Sequence, residues 1–187
     1  DQDDADIQGS FEYEPGEVEV LDQLLPEYMA GYLFYVLIDS AAAEQAARRE
    51  AAKLIVSKLS AGLRDDDLLI FEGDPAFVDT DDLDKLDYVV LNTATIANAV
   101  DLKLYVTNVI NNLALAKDKL LLSAKVGSKL VSEEGDKLDA VANMTDRVIS
   151  VGPLGGLAIY NLSDDYFHTG MNYEVTRKAI QMMNSSR

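Results

Sequence analysis

The chain contains no cysteine, no tryptophan and a single histidine among its 187 residues. The lack of cysteine excludes disulfides, thiolate metal sites and a cysteine nucleophile. Long hydrophobic runs are also missing, because the longest near-continuous apolar stretch, Tyr28 to Ile38, is too short to cross a bilayer. We therefore expect a soluble chain without direct membrane insertion, and a cytoplasmic location is favoured.

Basic residues are scarce: 16 Lys and Arg stand against 33 Asp and Glu, which gives a formal net charge of −17. The acids concentrate in residues 1–22, with nine acids and no base, and in residues 65–87, with ten acids and one Lys. A field of this sign repels nucleic acid and anionic membranes. The charge suits cations or a basic partner, and solvated acidic surface is the simplest interpretation.

Residues 11–64 form the most strongly patterned segment, which follows an acidic arm at residues 1–10. Apolar residues recur at helical spacing from Val20 to Val36 and predict a long N-terminal helix, kinked or restarted at Pro26. Residues 32–38 are apolar on every side, so we expect them to be buried between elements or in a subunit contact. An Ala-rich run then continues the helix to about residue 63.

Residues 65–187 alternate short apolar runs with helical patterns, and 48% of the whole chain is hydrophobic, enough for a proper core. The predicted strands are 68–71, 88–91, 120–126, 148–151 and 157–160. The predicted helices are 132–145 and 172–183. Residues 96–116 fit helix or strand, and helix is favoured. This alternation predicts an α/β fold with a mainly parallel sheet of about five short strands, in one domain with the helix.

Three blocks of sequence resemble a known family: 13–15 (Tyr-Glu-Pro), 20–28 (Val-Leu-Asp-Gln-Leu-Leu-Pro-Glu-Tyr) and 40–48 (Ser-Ala-Ala-Ala-Glu-Gln-Ala-Ala-Arg). Together, residues 11–52 resemble the C-terminal region of the gamma subunit of F-type ATP synthases. In that family the region leads into the long helix of the rotor shaft. The resemblance implies that Glu44, Gln45 and Arg48 contact a surrounding catalytic ring.

A non-enzymatic assembly protein is the leading hypothesis, and its concrete form is a gamma-like component of a rotary central stalk. Tyr28, Tyr32 and Tyr35 supply amphipathic bulk that suits a protein contact, although core packing explains them as well. The expected partners are other subunits or a second copy of the chain. Because the resemblance stops near Lys53, a family fragment spliced or engineered onto an unrelated body is a further alternative.

An acidic cluster of Asp79, Asp81, Asp82 and Asp84 offers the oxygen ligands that Mg²⁺ or Ca²⁺ prefers. An EF-hand loop is excluded because Asp84 occupies the position that requires glycine. N-capping and a favourable charge in the first turn of a short helix explain the cluster without a metal.

The glycines of Gly152-Pro153-Leu154-Gly155-Gly156 follow a predicted strand, where backbone N–H groups can approach a phosphate. The segment lacks the P-loop ending and the dinucleotide spacing, so a turn between two strands is the simpler interpretation. Gly152, Gly155 and Gly156 nevertheless support a competing hypothesis. It is an α/β domain that binds or acts on a phosphorylated small molecule with a divalent cation.

His168 lies close in sequence to two carboxylates, Asp164 and Asp165, and such a histidine can act as a general base. A hydrogen-bonded histidine in a packed aromatic turn is the simpler interpretation. No catalytic residue is therefore predicted.

Overall fold

The computed structural model describes residues 31–35, 42–64, 67–151 and 154–185 of the chain. The strands are β1 (Gly31–Tyr35), β2 (Leu68–Gly73), β3 (Tyr88–Leu91), β4 (Leu120–Lys125), β5 (Lys129–Val131), β6 (Lys137–Asp139) and β7 (Gly156–Tyr160). The helices are α1 (Ala42–Gly62), α2 (Thr80–Leu83), α3 (Ala99–Asn112), α4 (Ala140–Ser150), α5 (Leu162–His168) and α6 (Glu174–Ser185). Single 3₁₀ turns lie at Pro75–Phe77, Thr93–Thr95 and Lys117–Lys119.

The described strands form one parallel sheet in the order β1-β2-β3-β4-β7 and a separate antiparallel pair, β5-β6. Each strand of the large sheet lies beside the strand that precedes it in this order, so every crossover steps in the same direction. Because such crossovers are right-handed, their helices lie on one face of the sheet. The α/β class and the mainly parallel sheet predicted from the sequence are confirmed.

The hydrophobic core lies between this helical layer and the sheet. Alternate strand residues point into it, and buried helix residues meet them. The largest strand contributions are Leu69, Phe71, Leu91, Leu120 and Leu122, all at most 1% exposed. From the helices come Val56, Leu59, Leu102, Val106 and Met144, all at most 2% exposed. On the opposite face of the sheet Ile70, Leu121 and Ala158 are half-buried, whereas Val90 and Ser123 are buried.

The prediction of a continuous helix through residues 11–64 is wrong for residues 31–35, which form β1 and pair in parallel with β2. A run that is apolar on every side is typical of a parallel strand as well as of a buried helix, and its length favours a strand. The helix begins only at Ala42, in the Ala-rich run. The predicted acidic arm and the predicted kink at Pro26 lie outside the described residues.

Two capping residues explain where the body follows or departs from the sequence prediction. The Asn98 side chain accepts hydrogen bonds from the amides of Val100 and Asp101, so α3 forms as predicted. The Asp139 side chain caps α4 through the amide of Ala142. The helix therefore starts at residue 140, and not at residue 132 as predicted. It continues to Ser150 and so contains residues 148–150, for which a strand was wrongly predicted.

None of the helices in the described part of the chain combines the length and the apolar character that a bilayer crossing requires.

Candidate functional site

The carboxyl ends of the parallel strands bring together two polar side chains, Glu72 of β2 and Tyr160 of β7. The Tyr160 hydroxyl donates a hydrogen bond to Oε1 of Glu72, across 88 positions of sequence. Strands β3 and β4 lie between them. Three strand spacings amount to about 14 Å in a flat sheet, more than the two side chains span together. Tyr160 also lies four residues beyond Gly156, which is the β7 residue in register with Glu72. The contact therefore requires the sheet to curl along this diagonal, which makes the face concave in that direction.

The electrostatics of the pair keep the phenol neutral. Burial raises the pKa of Tyr160, and the hydrogen bond to Glu72 and the charge of that carboxylate raise it further. Tyr160 therefore stays a proton donor at neutral pH and fixes one carboxylate oxygen of Glu72. Among the described residues, the second oxygen of Glu72 has no hydrogen-bond partner, and the side chain is only half-buried. This oxygen is free to accept a hydrogen bond from a ligand.

The strand register places two further residues beside the pair. Tyr35 lies opposite Glu72 on β1, and Lys125 lies opposite Tyr160 on β4. Lys125 is exposed. The carboxyl edge thus offers an acceptor on β2, a neutral phenol on β7 that bonds to it and an ammonium group in register with this phenol, which suits a polar uncharged ligand with several hydroxyl groups.

The acidic cluster is split by ion pairs. Asp79 lies at the N-cap position of α2 and pairs with Lys53 at 2.7 Å. The hydrogen bond and charge of Lys53 lower the pKa of Asp79. Asp82 is buried and pairs with Lys85 at 2.6 Å, whereas Asp81 and Asp84 are exposed. Within the described residues no group of three potential metal ligands is found. Metal binding at this cluster stays a prediction without support from the geometry.

The glycine segment connects α4 to β7, so the predicted turn between two strands is wrong. The Gly155 amide donates to Leu120 O at 2.8 Å and to Lys117 O at 3.2 Å, which commits it to the main chain. A Cβ at residue 155 would lie 2.1 Å from Asp118 O, so only glycine fits this approach. Gly156 opens β7, and Gly152 lies outside the described residues. Phosphate binding therefore has no support at Gly155.

The residues predicted to contact a partner fall on two different elements. Glu44, Gln45 and Arg48 lie in the first two turns of α1. Tyr32 and Tyr35 lie on β1, and Tyr28 lies outside the described residues. The expectation that the tyrosines share a helix is wrong for Tyr32 and Tyr35, and the predicted contacts themselves stay predictions.

Sequence reasoning missed Glu72 and Tyr160 because they are distant in the chain and belong to no motif. A usable signal was present in both strands. Each residue is the polar end of an otherwise apolar run, followed at once by Gly73 or Asn161, both turn-forming residues. Such residues at the carboxyl ends of parallel strands are where ligands gather in open α/β sheets.

The sequence relatives match only a short part of the chain, and no protein-family model matches it. The ATP synthase gamma chain of Thermobifida fusca (strain YX) is 51% identical over 43 residues, which is 23% of this chain and 14% of that protein. That of Ruminococcus albus is 56% identical over 39 residues, or 21% and 14%. That of Corynebacterium glutamicum (strain R) is 37% identical over 61 residues, or 33% and 19%.

These matches confirm the partial resemblance to ATP synthase gamma chains. The chain spans less than a fifth of the length of each of these relatives, so the activity of a whole gamma chain does not follow from them.

Two solved structures share the fold over most of the chain. A Glu-to-Gln variant of BT1044 superposes with a TM-score of 0.55 at 19% identity, covering 72% of this chain and 45% of that one. A GH18 chitinase from Pseudoalteromonas aurantia superposes with a TM-score of 0.57 at 12% identity, covering 88% and 65%. At these identities the likeness concerns the fold alone.

Proposed function

We propose that the α/β body binds a carbohydrate on the concave face of its sheet, at the carboxyl ends of the strands. The observation that carries the proposal is the hydrogen bond between Tyr160 and Glu72, which holds a carboxylate at the position where parallel sheets collect ligands. The shared fold with a GH18 chitinase supports a saccharide as the ligand class.

The chemistry of the edge suits hydroxyl groups. The free oxygen of Glu72 accepts from a sugar hydroxyl, and hydrogen bonds to a charged acceptor are stronger than neutral ones. The exposed ammonium of Lys125 donates to a sugar oxygen from the neighbouring strand. A few placed polar groups on a largely apolar surface are the usual composition of a small-molecule site.

The proposal is limited to binding. In the described residues, Glu72 is hydrogen-bonded to a neutral phenol, so the pair presents a single carboxylate to a ligand.

Isothermal titration calorimetry with oligomers of N-acetylglucosamine tests the proposal. We expect Glu72→Gln to weaken binding about tenfold, because one charged hydrogen bond is worth about 1.5–3 kcal/mol. Tyr160→Phe should weaken it less, since it removes only the orienting bond. Glu134→Gln, at an exposed carboxylate in the turn between β5 and β6, is the matched control. Equal affinity in Glu72→Gln and the control would refute the site.

A second function is proposed for the N-terminal part of the chain: assembly with other protein subunits as a gamma-like component. The 51% identity over 43 residues supports it. Native mass spectrometry with the isolated catalytic ring of an F-type ATP synthase is the test. A complex that Arg48→Ala weakens and Lys178→Ala leaves intact is the expected result. If the chain stays monomeric in the presence of the ring, this second function is refuted.

A further inference from the structure

The outer helical layer has a gap between α1 and α3. Helix α2 connects β2 to β3 and therefore belongs between them, yet it has only 4 residues, compared with 21 in α1 and 14 in α3. A cleft of about 510 Å³ lies at this place, lined by α1, by the segment from β2 to α2 and by α3. Its volume falls within the range of about 300–1,000 Å³ that is usual for small-molecule sites.

The inner wall of the cleft is apolar. Val78 and Leu83 are buried, at 6% and 2% exposed, and line it from the α2 side. Val109 and Leu113 are half-buried and line it from the α3 side. A ligand with an apolar body gains free energy by covering this surface.

Both cationic side chains that line the cleft interact with other side chains of the protein. Lys53 Nζ pairs with a carboxylate oxygen of Asp79 at 2.7 Å. Both side chains are about half exposed, so this is a surface ion pair and not a buried one. The Arg49 guanidinium lies over the ring of Phe77, 5.6 Å from its centroid, in a cation–π arrangement. The cations are therefore turned to partners within the chain.

Two carboxylates of the cleft form no salt bridge among the described residues, Glu50 on α1 and Asp74 after β2, although the charge of Glu50, after that of Asp79, raises the pKa of Lys53. One oxygen of Asp74 accepts from the Ala76 amide at 2.9 Å, which fixes the side chain and leaves its charge unpaired. With Asp79 counted, three carboxylates oppose two cations in the cleft. The excess is negative, as is the whole chain at −17.

An aromatic ring lines the same cleft. Tyr105 lines it from α3 and is half-buried. Burial, and to a lesser extent the charge of Asp74, raises the pKa of Tyr105 to about 12, so the phenol stays neutral at neutral pH. A carboxylate and an aromatic ring in one cleft favour an organic cation, through charge attraction and through the face of the ring.

We propose that this cleft binds an organic cation, an ammonium group on a compact apolar body, with Asp74 as its counter-ion and Tyr105 beside it. The site is separate from Glu72 and Tyr160 and does not depend on the carbohydrate proposal. The negative field of the chain draws cations towards it.

Three aromatic probes of similar size separate charge from apolar contact: benzylamine as its ammonium ion, benzyl alcohol and benzoate. Isothermal titration calorimetry at neutral pH should show the order benzylamine, benzyl alcohol, benzoate. Asp74→Asn keeps an oxygen for the Ala76 amide and removes the charge, so we expect benzylamine to bind about tenfold more weakly and benzyl alcohol to be unchanged. Asp146→Asn, at an exposed residue of α4, is the matched control.

A second variant tests the location. Asn108→Trp places bulk on the exposed rim of the cleft and should abolish benzylamine binding while the melting temperature stays near that of the parent. Glu72→Gln should leave it unchanged. Benzoate that binds as tightly as benzylamine, unchanged affinity in Asp74→Asn, or no binding of benzylamine by the folded chain would each overturn the proposal.

Discussion

The buried carboxylate of Asp165 accepts a hydrogen bond of 2.7 Å from the backbone amide of Thr176, eleven residues further along the chain. It also accepts from the Val175 amide and the Thr169 hydroxyl, each at 3.2 Å. These amides belong to the first turn of α6, so Asp165 on α5 caps a helix of which it is not part. Both oxygens of the Asp165 carboxylate are occupied by these hydrogen bonds, which argues against Asp165 as a partner of His168 in catalysis.

The first prediction concerns acid stability. Burial opposes ionisation of Asp165 and is the largest influence, but the hydrogen bonds from Thr176, Val175 and Thr169 together lower its pKa. A lowered pKa in the folded state stabilises the protein above the unfolded value of about 3.9. That contribution is lost as pH falls through the folded value. Urea unfolding between pH 7 and pH 3 should show a smaller loss in Asp165→Asn than in the parent, since the other carboxylates with lowered pKa values, such as Asp79, titrate in both.

At neutral pH, Asp165→Ala should lower the free energy of unfolding by about 1–3 kcal/mol, because buried amides lose their acceptor. The neighbouring Asp164 is exposed and serves as control. An equal effect of Asp164→Ala would show that the cap is not the cause.

The second prediction tests how α1 packs. Leu59 is 2% exposed and lies in the core, whereas Leu54 on the same helix is 53% exposed. Leu59→Ala should lower the free energy of unfolding by about 2–5 kcal/mol, and Leu54→Ala by about 0.5 kcal/mol or less. Chemical denaturation of both variants measures the difference, and similar values would contradict the orientation of α1.

The packing of α1 also tests the alternative that a family fragment was spliced onto an unrelated body. Ala51 precedes Lys53, where the gamma-like resemblance ends, and Val56 follows it, yet both belong to one hydrophobic core. A core that continues across this point weakens the idea of two unrelated pieces.

The third prediction concerns Gly155. Gly155→Ala should lower the free energy of unfolding by about 3 kcal/mol, since the added methyl group overlaps the Asp118 carbonyl and the backbone must move. Gly135 has a φ of +92° and open space around its Cβ position, so Gly135→Ala should cost only about 1 kcal/mol of conformational strain. Thermal denaturation of the two variants separates overlap from strain. A smaller loss of stability in Gly155→Ala than in Gly135→Ala would contradict the overlap between the added methyl group and the Asp118 carbonyl.

The fourth prediction concerns the contact between β4 and the 3₁₀ turn that follows β3. The Thr93 hydroxyl donates to Ser123 O and accepts from Ser123 N, each at 2.7 Å, and both residues are 0% exposed. Thr93→Val keeps the shape and removes both bonds, so we expect a loss of about 2 kcal/mol in the free energy of unfolding. Thr95→Val removes an exposed bond to Asn92 O and should change stability by about 0.5 kcal/mol or less. Guanidinium titrations of the pair decide between these outcomes.

Local patterns predicted those elements that have local causes. Strands β2, β3 and β4 are short apolar runs that end at turn residues, and α3 has its cap in Asn98. Residues 31–35 were predicted wrongly because an all-apolar run has no period that separates strand from helix, and pairing with β2 decides between them. The pair β5-β6 was missed since strands of three residues carry too little pattern.

The candidate site could not be predicted from local sequence patterns, for a different reason. Glu72 meets Tyr160 only because the sheet curls, and curvature is a property of all the strands together. The Asp165 cap likewise joins two helices through space. Charge, in contrast, is additive along the chain, so the negative net charge and the expectation of a cationic or basic partner followed from composition alone, and that expectation stays a prediction.

The one-directional order of the sheet has a consequence for biosynthesis. Most strands pair with the strand made just before them, so each new strand that leaves the ribosome can pair with the free edge of the strand before it. Such short separations reduce the entropy lost in closing each loop. The architecture is therefore suited to growth of the sheet by successive addition of strands during synthesis.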